Sequence, residues 1–181
     1  MGVALAIAGG WQLAAAGWIH AKAALAQHFI AEAWDMTRAS GLPQRPWRGA
    51  DLRPVARLEV PRHGVKLIVL DNAAARALAF GPGHLQGSAP LASDGNAVVV
   101  AHRDTHFAFL KAVAPGDEIA VQSLDSRARY RVRETRVVHQ SDTQVIEGDG
   151  GGQLTLVTCF PFDAARPGTE LRFVVVADRI A

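Results

Sequence analysis

The sequence predicts a mainly β protein: a closed barrel of about seven or eight strands with a few short helices, preceded by an N-terminal transmembrane helix. Three observations carry that prediction. Seven short β-type runs, separated by turn residues, fill the chain from Val55 to its end. Nineteen uncharged residues open it, and only two stretches between the strands have helical composition. A chain of 181 residues has room for one domain with a real core and a small appendage, but not for two full domains.

The opening stretch MGVALAIAGGWQLAAAGWIH carries no charge before His20 and one strongly polar side chain, Gln12. That matches the ~20 apolar residues a helix needs to cross a bilayer core. Trp11 and Trp18 suit the membrane interface. The same helix is expected to run on through AKAALAQHFIAEAWDMTRAS to near Arg38, where Gly41 and Pro43 stop it. A cleaved signal peptide fits less well, because there is no basic n-region and no clean Ala-x-Ala site. An Ala-rich helix buried in a core or an oligomer is the other alternative. Residues 1–38 therefore read as a membrane anchor and its extension. Residues 39–54, with SGLPQRPWRGADLRP, read as a linker, and 55–181 as the barrel.

The strand runs are VARLEV, VKLIVL, NAVVVAH, DEIAVQS, ARYRVRETRVV, QLTLVTC and ELRFVVVADR. Seven such runs in about 125 residues favour a closed or nearly closed barrel. DNAAARALAFGPGHLQGS should hold a short Ala-rich helix and then a Gly/Pro loop. DTHFAFL is expected to form one or two helical turns capped by Asp104. Within ARYRVRETRVV, Arg129, Arg131 and Arg133 alternate onto one solvated face.

A net charge of +2 without a basic tract gives no reason to expect nucleic acid as a partner. The single cysteine, Cys159, excludes an internal disulfide and leaves a free thiol. Taken alone, such a thiol is compatible with an inert, small buried hydrophobe or with a nucleophile. Three polar residues end or begin otherwise apolar strands: His102, Cys159 and Arg172. Strand ends at one rim of a barrel can converge, which would give a thiol, an acid–base group and a cation in one place. His102 and His106 have the spacing of a zinc pair on a helix, but no Glu follows His102 and no third ligand is evident, so no metal is expected.

The words VVVAHRDTHFAFL and LTLVTCFPFDAARPGTELRFVVV resemble the signature segments of sortases, the membrane-anchored cysteine transpeptidases. The family motif T-L-x-T-C is present as TLVTC, Thr155 to Cys159, in the order His, motif, then Arg on the following strand. GPGHLQGSAP, Gly81 to Pro90, is similar to the segment before the histidine strand. WQLAAAGWIHAKAALAQ and the CFPF ending make the resemblance closest to the Gram-negative, proteobacterial group.

The resemblance implies a sortase-like barrel in which Cys159 forms a thioester, His102 moves protons, and Arg172 supports the substrate backbone or the oxyanion, chemistry that needs no cofactor. Arg166, in a Pro-Gly turn, is the rival arginine. The implied substrate is a secreted protein with a C-terminal LPxTG-like signal, cleaved between Thr and Gly and joined to an amine acceptor. The implied location is the inner membrane, single-pass, with the barrel in the periplasm or outside.

Candidate substrate contacts are Thr158 and Phe160 beside the thiol, Val145 and Ile146 in HQSDTQVIEGDGGG, and His106 at the rim. A regular strand would turn Thr158 to the face opposite Cys159. Two other readings stay open: another Cys-dependent cell-envelope peptidase or L,D-transpeptidase, and a membrane-tethered binding module with an inert thiol.

Overall fold

The computed structural model describes residues 25–148, 151–164 and 168–180. Eight strands close into a barrel in the order β1-β2-β3-β4-β7-β8-β6-β5: β1 Pro54–Val60, β2 Val65–Leu70, β3 Gly83–His84, β4 Asn96–Val100, β5 Glu118–Ser123, β6 Arg127–His139, β7 Gln153–Phe160 and β8 Leu171–Arg179. The antiparallel β1–β5 ladder completes the closure. Two pairs are parallel, β2–β3 and β4–β7; the rest are antiparallel.

Alternation along the strands decides what fills the barrel. Ala56, Leu58 and Val60 of β1 point inward, as do Ala97 and Val99 of β4, Leu154 and Leu156 of β7, and Val175 and Ala177 of β8. The seven expected runs are strands, and β3 is the eighth. Its two residues wedge between β2 and β4 because Gly83 lacks a side chain: a Cβ there would lie 2.3 Å from the Asn72 carbonyl oxygen. Outward on β6, Arg129, Arg131 and Arg133 are exposed, and Arg131 pairs with Glu118 at 3.1 Å.

The outer face of β2 is covered by a helix, α1, described over residues 25–40. Ala26, Ile30, Ala33, Trp34 and Thr37 form its buried stripe at helical spacing. Ile30 and Trp34 pack with Ile68 and Leu70. The helix ends where Gly41, at φ 70°, donates its N–H to the Thr37 carbonyl. Residues 39–54, expected as a linker, are instead an ordered connection. Ala50 and Leu52 are buried in the α1–β2 cluster, and Arg45 holds the Ala50 carbonyl at 2.8 Å. No helix among the described residues is long and apolar enough to cross a membrane. The transmembrane segment expected over the first twenty residues lies outside the described residues.

The Ala-rich helix appears as α2, Ala75–Leu78. The turns after His102 differ from expectation. Residues 103–107 form turns closed by a Phe107 N–H bond to the His102 carbonyl at 3.0 Å, and the following 3-10 helix spans Ala108–Ala112 with Phe107, not Asp104, at its N-cap. At the opposite end of β1, Asp117 is buried and bonds Arg62, His63 and the Ala114 N–H at 2.6, 2.8 and 3.1 Å. Burial pushes its carboxyl up, but the His63 bond, the Ala114 N–H and Arg62 outweigh that and hold it below the usual range.

Candidate active site

Three adjacent strands, β4, β7 and β8, carry the candidate residues. In the antiparallel β7–β8 ladder, Cys159 is the direct partner of Arg172. In the parallel β4–β7 ladder, Val100 pairs with Val157, and the Ala101 N–H reaches the Val157 carbonyl at 3.3 Å. The same offset carried two residues further sets His102 beside Cys159. Cys159 and Arg172 are thus direct partners across β7 and β8, and the β4–β7 offset, extended two residues past the end of β4, brings His102 level with them. Alternation puts the whole row on the outer face, since Ala101, Leu156 and Val175 take the inner positions. His102 is exposed, and Cys159 and Arg172 are half-buried.

Both threonines of TLVTC lash the cysteine strand to the histidine strand. Thr158 is 2% exposed and donates its hydroxyl to the Ala101 carbonyl at 2.7 Å. It therefore faces the core beside His102's predecessor, and positions the row rather than touching substrate. Thr155, on the outer face, donates to Asn96 Oδ1 at 2.8 Å.

Asn96 then uses its amide to donate to the Val145 and Ile146 carbonyls at 3.4 and 3.2 Å. Those two residues belong to a 3-10 turn, Thr143–Ile146, whose Asp142 cap accepts from the Gln144 N–H. The turn lies over the outer face: Val145 packs on Val174 and Val176, with Val138 and Val157 beside them. Ile146 is 36% exposed and, with Leu85 and Gly87, borders a groove between this turn and the β3–β4 loop.

Phe160 points away from the thiol's face. It stacks on Phe173 at 6.3 Å, and Phe162 meets the same ring edge-on at 5.2 Å, so the aromatic trio closes the barrel's end. The Phe160–Pro161 peptide is cis.

His106 is half-buried beside His102 and has a backbone hydrogen bond with Ala79. Burial and then the neighbouring His102 hold it below the ordinary histidine range, against the raising effect of the Ala79 bond, so its ring is neutral at pH 7. The two histidines lie on a turn rather than along one helix, which is not a zinc-pair arrangement.

No hydrogen bond joins Cys159 to His102 among the described residues. Arg172 is tethered on the opposite side of its strand. Its Nη1 donates to the Thr169 and Leu171 carbonyls at 2.5 and 2.9 Å, and its Nη2 to Gln140 Oε1 at 2.9 Å. Three of the five N–H donors of a guanidinium are thereby used, leaving two for another oxygen. Arg166 lies outside the described residues. Asn96, Gln140 and Thr169 were not anticipated as site residues, and only the polar Asn96 opening an apolar run offered a signal; Arg103, next to His102, is open in the sequence to two readings, orienting the His102 strand or lying in a solvated turn.

Comparison with known proteins agrees with the barrel fold. The sortase domain family model matches residues 58–180. Sortase D of Bacillus subtilis is 27% identical over 124 residues, a match covering 68% of this chain and 62% of that protein, so the chain spans less than two thirds of the curated relative's length. Sortase C-1 from Actinomyces oris has 28% identity and a TM-score of 0.64, covering 71% of this chain and 75% of that one. Sortase A from Corynebacterium diphtheriae has 28% identity and a TM-score of 0.65, with coverage of 75% and 64%. With a sortase domain running from β1 to the end of β8 and a barrel that superposes on solved sortases, this chain belongs to the sortase family.

Proposed function

We propose that the protein is a cysteine transpeptidase that cleaves an LPxTG-like signal between Thr and Gly and transfers the acyl group to an amine. The observation that carries this reading is the direct pairing of Cys159 with Arg172 across β7 and β8, with His102 two residues past the end of the neighbouring β4.

The Cys159 thiolate attacks the threonine carbonyl carbon, and the two remaining Arg172 donors can meet the oxygen as it gains charge. His102 gives a proton to the departing glycine amine, which leaves a thioester on Cys159. An incoming amine then attacks the thioester, His102 takes its proton, and the thiolate is released.

Ile146 and its groove suit an apolar residue of the signal, and His106 suits a position on the rim. The uncharged opening segment supports a membrane anchor with the barrel on the extracytoplasmic side, and the CFPF word supports the Gram-negative group.

The test uses the full chain, because α1 is part of the core. A fluorogenic LPxTG peptide and a glycine amine are supplied, with products identified by mass spectrometry. Wild type should give the amide-exchanged product and a thioester adduct, and Cys159→Ala, His102→Ala and Arg172→Ala should each lose at least about a hundredfold in rate. No adduct in wild type with a panel of such peptides, together with a thiol that alkylates only after denaturation, would replace the enzyme with a binding module. Product from cell-wall peptides alone would favour an L,D-transpeptidase.

A further inference from the structure

We propose that Arg103 and Thr169 form a relay that positions Arg172 and binds the β7–β8 connection to the histidine turn. Arg103 follows His102 directly and is 8% exposed, an unusual place for an arginine in a polar turn. Its Nη2 donates to the Ala164 carbonyl at 2.9 Å and its Nη1 to the Thr169 hydroxyl at 3.2 Å. The carbonyl of the same Thr169 accepts from Arg172 Nη1. One residue thus receives both arginines, one through its side chain and one through its backbone.

The geometry assigns a purpose to the burial. Ala164 lies just after the cysteine strand and Thr169 just before the arginine strand, so a single planar guanidinium bridges both ends of that connection from the histidine side. A lysine ammonium, a point charge without the fork, cannot hold two acceptors in that fixed relation. With Thr169 fixed, its carbonyl aims Arg172, and Arg172 stands directly across from Cys159. Arg103 and Thr169 are positioning residues in this scheme: neither needs to touch substrate.

The inference rests on the transpeptidase reading, in which Arg172 serves the reacting carbonyl, and its test separates the two. The full chain is compared with Thr169→Val, Thr169→Ser, Arg103→Lys, Arg172→Ala and the double variant Thr169→Val/Arg172→Ala. Two readouts are taken: steady-state transfer on the LPxTG peptide, and the pH profile of Cys159 alkylation by iodoacetamide, which needs no substrate.

Thr169→Val keeps side-chain volume and backbone carbonyl, so urea unfolding should match wild type, while kcat falls about tenfold with KM nearly unchanged. Thr169→Ser should restore it, and Arg103→Lys should resemble Thr169→Val. Cys159 alkylation should change in rate in Thr169→Val, because Arg172 is no longer held fixed across from the thiol. In the Arg172→Ala background both effects should vanish, as expected when one residue acts only through another. Full additivity with Arg172→Ala, or a Thr169→Val protein with wild-type kcat and alkylation profile, overturns the relay. If wild type transfers nothing, the transpeptidase reading falls, while the alkylation cycle still decides whether Thr169 acts through Arg172.

Discussion

Thr158 makes the smallest of the contacts on which the row depends, one hydroxyl proton given to the Ala101 carbonyl. Removing it should cost about 1–3 kcal/mol, because a buried carbonyl loses its partner in a dry place. Thr158→Val should show that loss in urea unfolding, whereas Thr158→Ser should retain most of the stability; equal stability of the valine variant and wild type would remove the bond from the account. Thr158 was legible in sequence as a core-facing residue, since alternation alone opposes it to Cys159. Arg103 was legible only in part: beside His102 it could orient that strand or lie in a solvated turn, and its burial is decided by acceptors more than sixty positions later. Phe160 misled in the same way: adjacency to Cys159 suggested a pocket wall, but the side-chain period of two sends its ring to Phe173.

Among the elements, the turn Thr143–Ile146 lies over the outer face of β7 and β8, the face that also carries the thiol. It is held from below by Val145 and from the side by Asn96, and Gly148 completes its docking. Gly148 has φ 73°, and a Cβ there would lie 2.6 Å from Asn96 Cβ. Gly148→Ala should therefore both strain the backbone and push the turn off Asn96. The expected outcome is a KM for the signal peptide raised several-fold with kcat little changed, and an unchanged KM would disconnect this turn from substrate binding.

The seven long strands were readable from their apolar runs, yet β3 was not. Two residues carry no period, and Gly83 is in the sheet because of what it lacks. Residues 39–54 show the converse failure. Their Pro, Gly and Arg content reads as a linker, while burial of Ala50 and Leu52 is decided by the α1 face they meet.

At the scale of the whole molecule, α1 and the barrel share buried surface through Ile30, Trp34, Ile68 and Leu70, and Asp117 ties the β1–β2 turn to the start of β5. The sign of the pH response follows from Asp117's depressed carboxyl. In the unfolded chain it takes up a proton at a higher pH than in the fold, so its stabilising contribution is complete above the unfolded value of 3.8 and is lost as pH falls through the lower folded value. Urea midpoints measured from about pH 7 down to pH 2 should fall steeply at the acid end in wild type and less steeply in Asp117→Asn. That variant should already be weaker at neutral pH, by about 1–2 kcal/mol, because its hydrogen bonds to Arg62 and His63 lose their charge assistance. Parallel slopes for the two proteins would assign the acid sensitivity elsewhere.

Cys159 faces Arg172 and comes level with His102 because two ladders count in step, β4 with β7 and β7 with β8. Such a site tolerates a change of letter far better than a change of count. Deleting one residue from β7 ahead of the thiol, with the ladders holding their places, brings Cys159 to the inward position now taken by Thr158 and leaves Phe160 facing Arg172. Lineages and engineers alike can vary the spelling of this strand, but its length works as a reading frame.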